Sequence, residues 1–464
     1  MLGIIGVLLS LALLMYLAYK GVSVIILAPL VGLFALLFNS GFNGYFMATY
    51  TEVYMGAFGS FTRNYFPLFV TGAIFAKIMD AADYTKSIAA FVAGRLGKDK
   101  AILAVVIAGA ILTYGGVSLF VVAFVVYPIA VSLFRGADIP KRLIPGCIAL
   151  GAFTFTMTAL PGTPQVQNTI PMAYFGTDSF AAPVLGLIAA VVMFVLGMLW
   201  LTRRAAKAKA AGEGYGDHND KVELFSLDDR SKYPPVIIAV LPIFVMIGLN
   251  LLFSKVYYAA VDGSYLEKFG TALNRVSGNW AVILALVFTS VLMLVFNAKR
   301  LFKSGINVML KEGISNSFTP IISSSAVAGF GGIIRTVAAY AVIQQFILGL
   351  SKNPLISEAL SVNLLCGLTA SASGGLGAAL EALSQTLIDM GNSAGISMEA
   401  LHRVASVAAG GLDTLPFNGA VVTTLAICGL THRESYRDIC ATSVVIPIIA
   451  TAVIVILASV GLQF

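Results

Sequence analysis

Residues Gly410 to Thr424 read GGLDTLPFNGAVVTT, and they interrupt a long apolar segment running from Met398 to Gly429. A proline, three glycines, an aspartate, an asparagine and three threonines break what is otherwise a membrane-like run. At bilayer depth such backbone is tolerated only where it faces protein or a water-filled cavity, so the stretch reads as a binding site rather than a plain span. A second stretch, Thr158 to Thr169 (TALPGTPQVQNT), repeats its order: Leu-Pro, then small and amide residues, then threonine before an apolar helix. Two related broken helices far apart in one chain point to a secondary transporter built from repeats.

Composition agrees. The 464 residues are 58% hydrophobic and 11% charged, with a mean hydropathy of +0.92, against a charged fraction of about a quarter in soluble domains. The expected class is an all-α polytopic membrane protein. The first apolar run, Leu2 to Tyr19, has no basic leader and no cleavage site, so it reads as a retained helix. The net charge of +7 comes from Lys and Arg in short loops between apolar runs, the positive-inside pattern, which argues against nucleic acid as a partner. The four cysteines (Cys147, Cys366, Cys428, Cys440) lie in or beside apolar segments without metal-ligand spacing, and His218, His402 and His432 are scattered. No cofactor and no metal are expected.

A membrane helix needs about 20 apolar residues. Candidates in the first half are Leu2–Tyr19, Gly21–Phe38, Tyr65–Leu96, a re-entrant hairpin over Ala101–Phe134 with its tip at Gly115-Gly116, a broken helix over Leu143–Phe175 and a final span Phe180–Leu201. A polar connection, Thr202 to Tyr233, divides the chain. The second half then gives Pro235–Phe253, a polar loop to Asn279, Trp280–Phe296, a basic amphipathic piece Lys299–Lys311, Phe318–Leu350, a hairpin over Leu355–Met390 interrupted at Ser371–Gly375, the broken helix Met398–Gly429, and Ile439–Leu462. The order of elements repeats between halves, each with five spans and one hairpin.

Basic residues set the orientation. With Arg203, Arg204, Lys207 and Lys209 inside, the inner loops also carry Lys20; Arg95, Lys98 and Lys100; Arg135, Lys141 and Arg142; Lys299, Arg300 and Lys303; and Arg433 with Arg437. Outer loops are poorer and mixed, as in Glu52 with Arg63, Asp262 with Lys268, or Lys352 alone. Both termini are then expected outside, and the hairpins enter from opposite sides, which makes the repeats inverted.

A broken helix exposes N–H groups at the start of its second half, where the dipole is equivalent to roughly half a positive charge, and such a terminus holds a carboxylate. Four tips are expected to converge: Thr113, Gly115, Gly116 and Ser118; Ser371, Ser373, Gly374 and Gly375; Thr163, Gln165 and Asn168; and Thr414, Phe417, Asn418 and Thr423. Small residues of this kind also serve as helix-packing surfaces. Asp413 is the one acid in the two interrupted stretches, Thr158–Thr169 and Gly410–Thr424; it is read either as a coupling-proton carrier or as the cap of a helix beginning near Pro416. Glu381 is a second proton candidate, with pairing to a polar neighbour as the alternative. His402 is a third, with an interfacial position as the alternative. Arg335, in mid-span, requires a carboxylate or carbonyl partner. Asp80 and Asp83 with Lys77 and Lys86 have the spacing of helix-surface ion pairs. Ser406, His402 and Asp413 have neither a nucleophile elbow nor triad spacing, so an intramembrane enzyme is not expected.

Three segments, ALPGTPQVQNTIP (Ala159–Pro171), SASGGLGAALEAL (Ser371–Leu383) and HRVASVAAGGLDTLPFNGAVVTTLAICGLTH (His402–His432), resemble the GntP family, the gluconate:proton symporters of the ion transporter superfamily. The similarity runs over most of the chain and is nearer to the D-β-hydroxybutyrate permease branch. The chain departs from it at Phe417, where relatives commonly carry histidine. The resemblance implies a homodimer in the bacterial inner membrane, working as an elevator. Scaffold helices would be 1–97 and 235–352, transport-domain halves 98–201 and 353–464, and 202–234 a cytoplasmic linker. It further implies proton-driven import of a small carboxylate such as 3-hydroxybutyrate or a gluconate-like acid. A sodium-coupled di- or tricarboxylate carrier is the nearest alternative, and a carboxylate-binding channel or sensor is the alternative of another class.

Overall fold

The computed structural model describes residues 2–20, 22–41, 45–117, 119–218, 232–303, 305–340, 342, 351–369, 371–416 and 418–464. Among them every regular element is helical. The first half runs α1 (Leu2–Tyr19), α2 (Val24–Ser40), α3 (Phe46–Ala81), α4 (Tyr84–Leu96), α5 (Ala101–Tyr114), α6 (Leu119–Ala137), α7 (Ile144–Ala152), α8 (Phe155–Thr158), α9 (Val166–Phe175) and α10 (Pro183–Ala210). The second runs α11 (Val236–Ala260), α12 (Leu273–Phe296), α13 (Ala298–Lys303), α14 (Ile306–Thr336), α15 (Pro354–Thr369), α16 (Ala372–Ala394), α17 (Met398–Ala408), α18 (Gly419–Cys428) and α19 (His432–Ser459). Five of these helices, or six counting the bent α3–α4 pair, are long and apolar enough to cross a bilayer. The chain is a multi-pass membrane protein.

Several boundaries differ from the sequence expectation, each for a local reason. The third element is longer and bent: α3 begins at Phe46, and the chain turns by 63° into α4 through Asp83, whose φ of 56° ends the helix because left-handed backbone cannot continue it. The last helix starts at His432 rather than Ile439. Thr431 and Glu434 form a capping box there, which satisfies the first N–H groups and lets a polar turn precede the apolar run. The element expected from Phe318 starts at Ile306 and absorbs the end of the basic amphipathic piece, whose start forms α13. The α10 helix carries on past Leu201 to Ala210, since Arg203 to Lys209 are good helix formers. The start of the connection beyond it is pinned, with Arg142 donating to Glu213 at 2.6 Å and Asp138 accepting from the Tyr215 N–H at 2.9 Å.

Both hairpins form, by different means. The turn after α5 closes with Gly116 N–H donating to Thr113 O and Val117 N–H to Leu112 O, each at 3.0 Å, around Gly116 at φ 85°, a glycine-ended helix C-terminus. The second hairpin instead closes at a helix start, where Ser371 Oγ accepts from Gly374 N–H at 3.1 Å. A Cβ on Gly375 would overlap the Cys366 backbone, so close approach of the two arms accounts for that glycine.

The long helices α3 and α14 pack along one another, and α14 also packs on α16. A separate apolar cluster joins α1 and α2 to Tyr54, Ala326, Phe330 and Ile333. The larger core runs through the hairpins, the broken helices and α19. Lys77 pairs across to Glu312 on α14 at 2.7 Å rather than with Asp80, which accepts from Thr85 at 3.3 Å. Lys86 does pair with Asp83, at 3.0 Å.

Candidate functional site

At the first break α8 ends at Thr158, and Val166 begins α9. Pro161 and Pro164 lack the N–H that helix would require. The loose ends are gathered by two buried side chains. Asn168 Nδ2 donates to Thr163 O at 3.0 Å and Ser179 O at 2.9 Å. Arg403, reaching over from α17, donates to Ala181 O (3.0 and 2.6 Å), Ala159 O (3.2 Å) and Asn168 Oδ1 (2.9 Å). It is wholly buried, and among the described residues all its partners are neutral. The first hairpin docks on the same break: Gln165 Nε2 donates to Thr113 O at 2.7 Å and Tyr114 OH to Pro161 O at 2.8 Å. The N-cap residue of α9, Gln165, makes no side-chain cap bond.

At the second break α17 ends at Ala408 and α18 starts at Gly419. Asn418 is the cap: its Oδ1 accepts from Ala420 N–H at 2.7 Å and Val421 N–H at 3.2 Å, and its Nδ2 donates to Asp413 O at 2.8 Å. The helix therefore begins beyond Pro416 and Asp413 is not its cap, because an amide at the junction itself meets both N–H groups. Asp413 is buried with its Oδ1 unpartnered. Thr414 donates to Ser443 O at 2.9 Å, and Thr423 is half-buried.

The two breaks touch. Ser406 donates to Thr158 O at 2.7 Å, and Gly410 lies against the Thr158 methyl, a Cβ there falling 3.0 Å from it. Gly367 of α15 packs on Leu412, and Gly411 on Asn363. The first hairpin tip, both breaks and the first arm of the second hairpin thus form one contiguous unit. The second hairpin's tip faces elsewhere, since Ser373 Oγ lies 2.9 Å from Ser324 Oγ on α14, while Gly374 is buried beside Ser371 and Val327. Gly115 faces Ile243 of α11. Ser118 and Phe417 lie outside the described residues.

The proton candidates separate clearly. Arg335 finds its partner in Glu381, donating to its backbone O at 2.6 Å and pairing with its carboxylate at 3.1 Å; Tyr174 OH adds a bond at 3.2 Å. His402 is fully buried because Thr177 Oγ1 meets its Nδ1 at 2.6 Å and Asn168 Oδ1 lies 3.4 Å from its Nε2. Sequence reasoning missed Arg403, whose only signal is a charge inside the small, apolar run after His402. It also missed Glu358 on α15, fully buried with neither carboxylate oxygen partnered.

Comparison with known proteins supplies what geometry does not. No protein-family model matches the chain. A Bacillus subtilis (strain 168) protein described as an uncharacterized transporter, YxjC, is 42% identical over 476 residues, covering 99% of this chain and 99% of its own. The crystal structure of the Alcanivorax borkumensis YdaH transporter, described as having an unusual topology, matches with a TM-score of 0.55 at 16% identity, over 92% of this chain and 89% of that one. That likeness is one of fold.

Proposed function

Because this chain belongs to the transporter family of Bacillus subtilis YxjC, and is a membrane transporter and not an enzyme, we propose that it imports a small carboxylate by proton symport. The observation that carries the carboxylate is Arg403, a buried guanidinium with no carboxylate partner among the described residues, set beside the uncapped start of α9. Its hydrogen bonds all go to neutral oxygens, while the carboxylates of Asp178 and Glu399 act on it without bonding to it. A substrate carboxylate entering this break would meet the guanidinium and a helix start without a side-chain cap, which offsets the desolvation that otherwise opposes a buried anion. The short-chain hydroxy acids of the D-β-hydroxybutyrate branch of the GntP family are the substrates that the sequence motifs favour.

The mechanism proposed is an elevator. Two inverted repeats would supply the moving unit (98–201 and 353–464) and the scaffold (1–97 and 235–352), in a homodimer of the bacterial inner membrane with both termini outside and 202–234 in the cytoplasm. The matching order of hairpin, broken helix and last helix in the two halves supports this reading.

Proteoliposomes with an imposed proton gradient should accumulate labelled 3-hydroxybutyrate. Accumulation under a sodium gradient alone would transfer the protein to the sodium-coupled di- or tricarboxylate carriers, and no accumulation under either gradient would remove this substrate. Asn418→Ala should weaken substrate binding while leaving expression intact, whereas Ser373→Ala, at the tip that meets α14, should leave binding unchanged; unchanged binding in Asn418→Ala would return that residue to a packing role.

A further inference from the structure

Eight buried side-chain oxygen atoms lack a hydrogen-bond partner among the described residues. Four of the eight belong to Glu358 (both oxygens), Asn363 and Asp413, which lie on or against one helix, α15. From Glu358, Asn363 is about 7 Å further along the axis and Gly367 about 13 Å. Asn363 lies against Gly411, and Gly367 against Leu412, the neighbour of Asp413. Asn363 and Gly367 lie about 140° and 180° around the helix from Glu358, so Glu358 stands on the opposite side of α15 from the second break, with both its oxygens unpartnered among the described residues. We propose that Glu358 is a proton-binding site of the transport cycle.

The charged groups on the helices packed against α15 are all engaged elsewhere. On α16, Glu381 is held by Arg335 and Tyr174, and Asp389 accepts from Gln385 at 3.0 Å. On α17, Glu399 accepts from Ala182 N–H at 3.3 Å, His402 meets Thr177 and Asn168, and Arg403 is bound to carbonyls and Asn168. The stretch 446–459 of α19 contains no titratable residue. On α1, Tyr16 is exposed, with Lys20 over its ring. On α15 itself, Cys366 donates to Ala372 O at 3.4 Å.

Among the described residues Glu358 therefore has neither a cation nor a donor to stabilise its ionised form, whereas the neutral acid is compatible with the site. Its two oxygens alone offer sodium too few ligands. Binding adds a proton to one carboxylate oxygen, with no other bond changing, and the proton leaves when the arm meets water. This role rests on the proton-symport reading above.

The test uses the full chain in proteoliposomes treated with dicyclohexylcarbodiimide, which attacks protonated carboxyls in apolar surroundings. Mass spectrometry should find Glu358 modified at neutral pH, progressively less as pH rises, with the ion-paired Glu381 spared. Glu358→Gln should abolish that modification and proton-driven accumulation of 3-hydroxybutyrate. Three results would overturn the inference: an unmodified Glu358, protection by sodium instead of raised pH, or undiminished proton-driven uptake in the variant. Should the variant fail to fold, labelling of the wild-type protein decides. A labelled Glu358 in a protein without proton-driven uptake supports the protonation site and overturns the symport reading alone.

Discussion

The two broken helices share a plan and differ in electrical character. At the first, α9 starts without a side-chain cap, and the carbonyls around it are gathered by the buried cation of Arg403. At the second, α18 starts capped by Asn418, and one oxygen each of the buried Asp413 and of Asn363 has no partner among the described residues. One break holds a buried guanidinium beside a helix start without a side-chain cap, and the other has unpaired oxygens. The difference teaches that two copies of one structural device can be specialised for opposite charges, an anion at one and a proton at the other, by the side chains brought to each.

The largest effect expected from testing this contrast is that of Arg403→Leu. It would orphan three acceptors, Ala159 O, Ala181 O and Asn168 Oδ1, each at about 1–3 kcal/mol, so folded yield and melting temperature in detergent should both collapse. Arg403→Lys should recover only part, because a point charge cannot span the same acceptors. A variant with leucine that melts like the wild type would break the comparison at its positive end.

Next comes Asn418→Ala, which removes a cap for about 0.5–2 kcal/mol and a donor to Asp413 O. Thermal melting should show a larger loss than Gln165→Ala, whose side chain caps nothing and forfeits about 1 kcal/mol for its bond to Thr113. Equal losses would mean that the two helix starts are not held differently.

Asp413→Asn should change stability by less than about 1 kcal/mol, since the removed oxygen has no partner to lose, yet flatten the pH dependence of uptake. A large drop in melting temperature with uptake still pH-dependent would move the acid from coupling to structure.

The smallest effect lies outside both breaks. The Arg142 guanidinium holds the Glu213 carboxyl below the usual carboxylate range. Its stabilisation is therefore complete above the ordinary carboxylate pKa of about 4.3 and disappears as pH falls through the lower folded value. Glu213→Gln should cost about 0–1 kcal/mol at neutral pH and nothing in strong acid, as read by melting at both.

Much of the architecture was legible because membrane helices tolerate few interruptions. Gly115-Gly116, Pro161 to Pro164, Ser371 to Gly375 and Leu415-Pro416 each stand out from apolar surroundings, and each marks a break or a hairpin. Asn168 and Asn418 were legible as site residues for the same reason, since amides at that depth require partners. Helix ends were less legible where polar residues extended a helix, as at Arg203 to Lys209, or capped one, as at Thr431 and Glu434. Asp413 was misread as a possible cap because Pro416 resembles a helix start, whereas the amide at Asn418 takes both N–H bonds.

The sequence by itself determined a multi-pass helical chain with two hairpins and two breaks, because hydropathy and backbone-breaking residues are local properties. Only the tertiary structure decided which charges are satisfied. Arg335 and Glu381 are 46 residues apart and pair; Arg403 closes a break 244 residues upstream of it; Glu358 is left with no partner at all among the described residues. Hydrogen bonds of this kind depend on which helices pack together, and that is fixed by the whole fold rather than by any stretch of it.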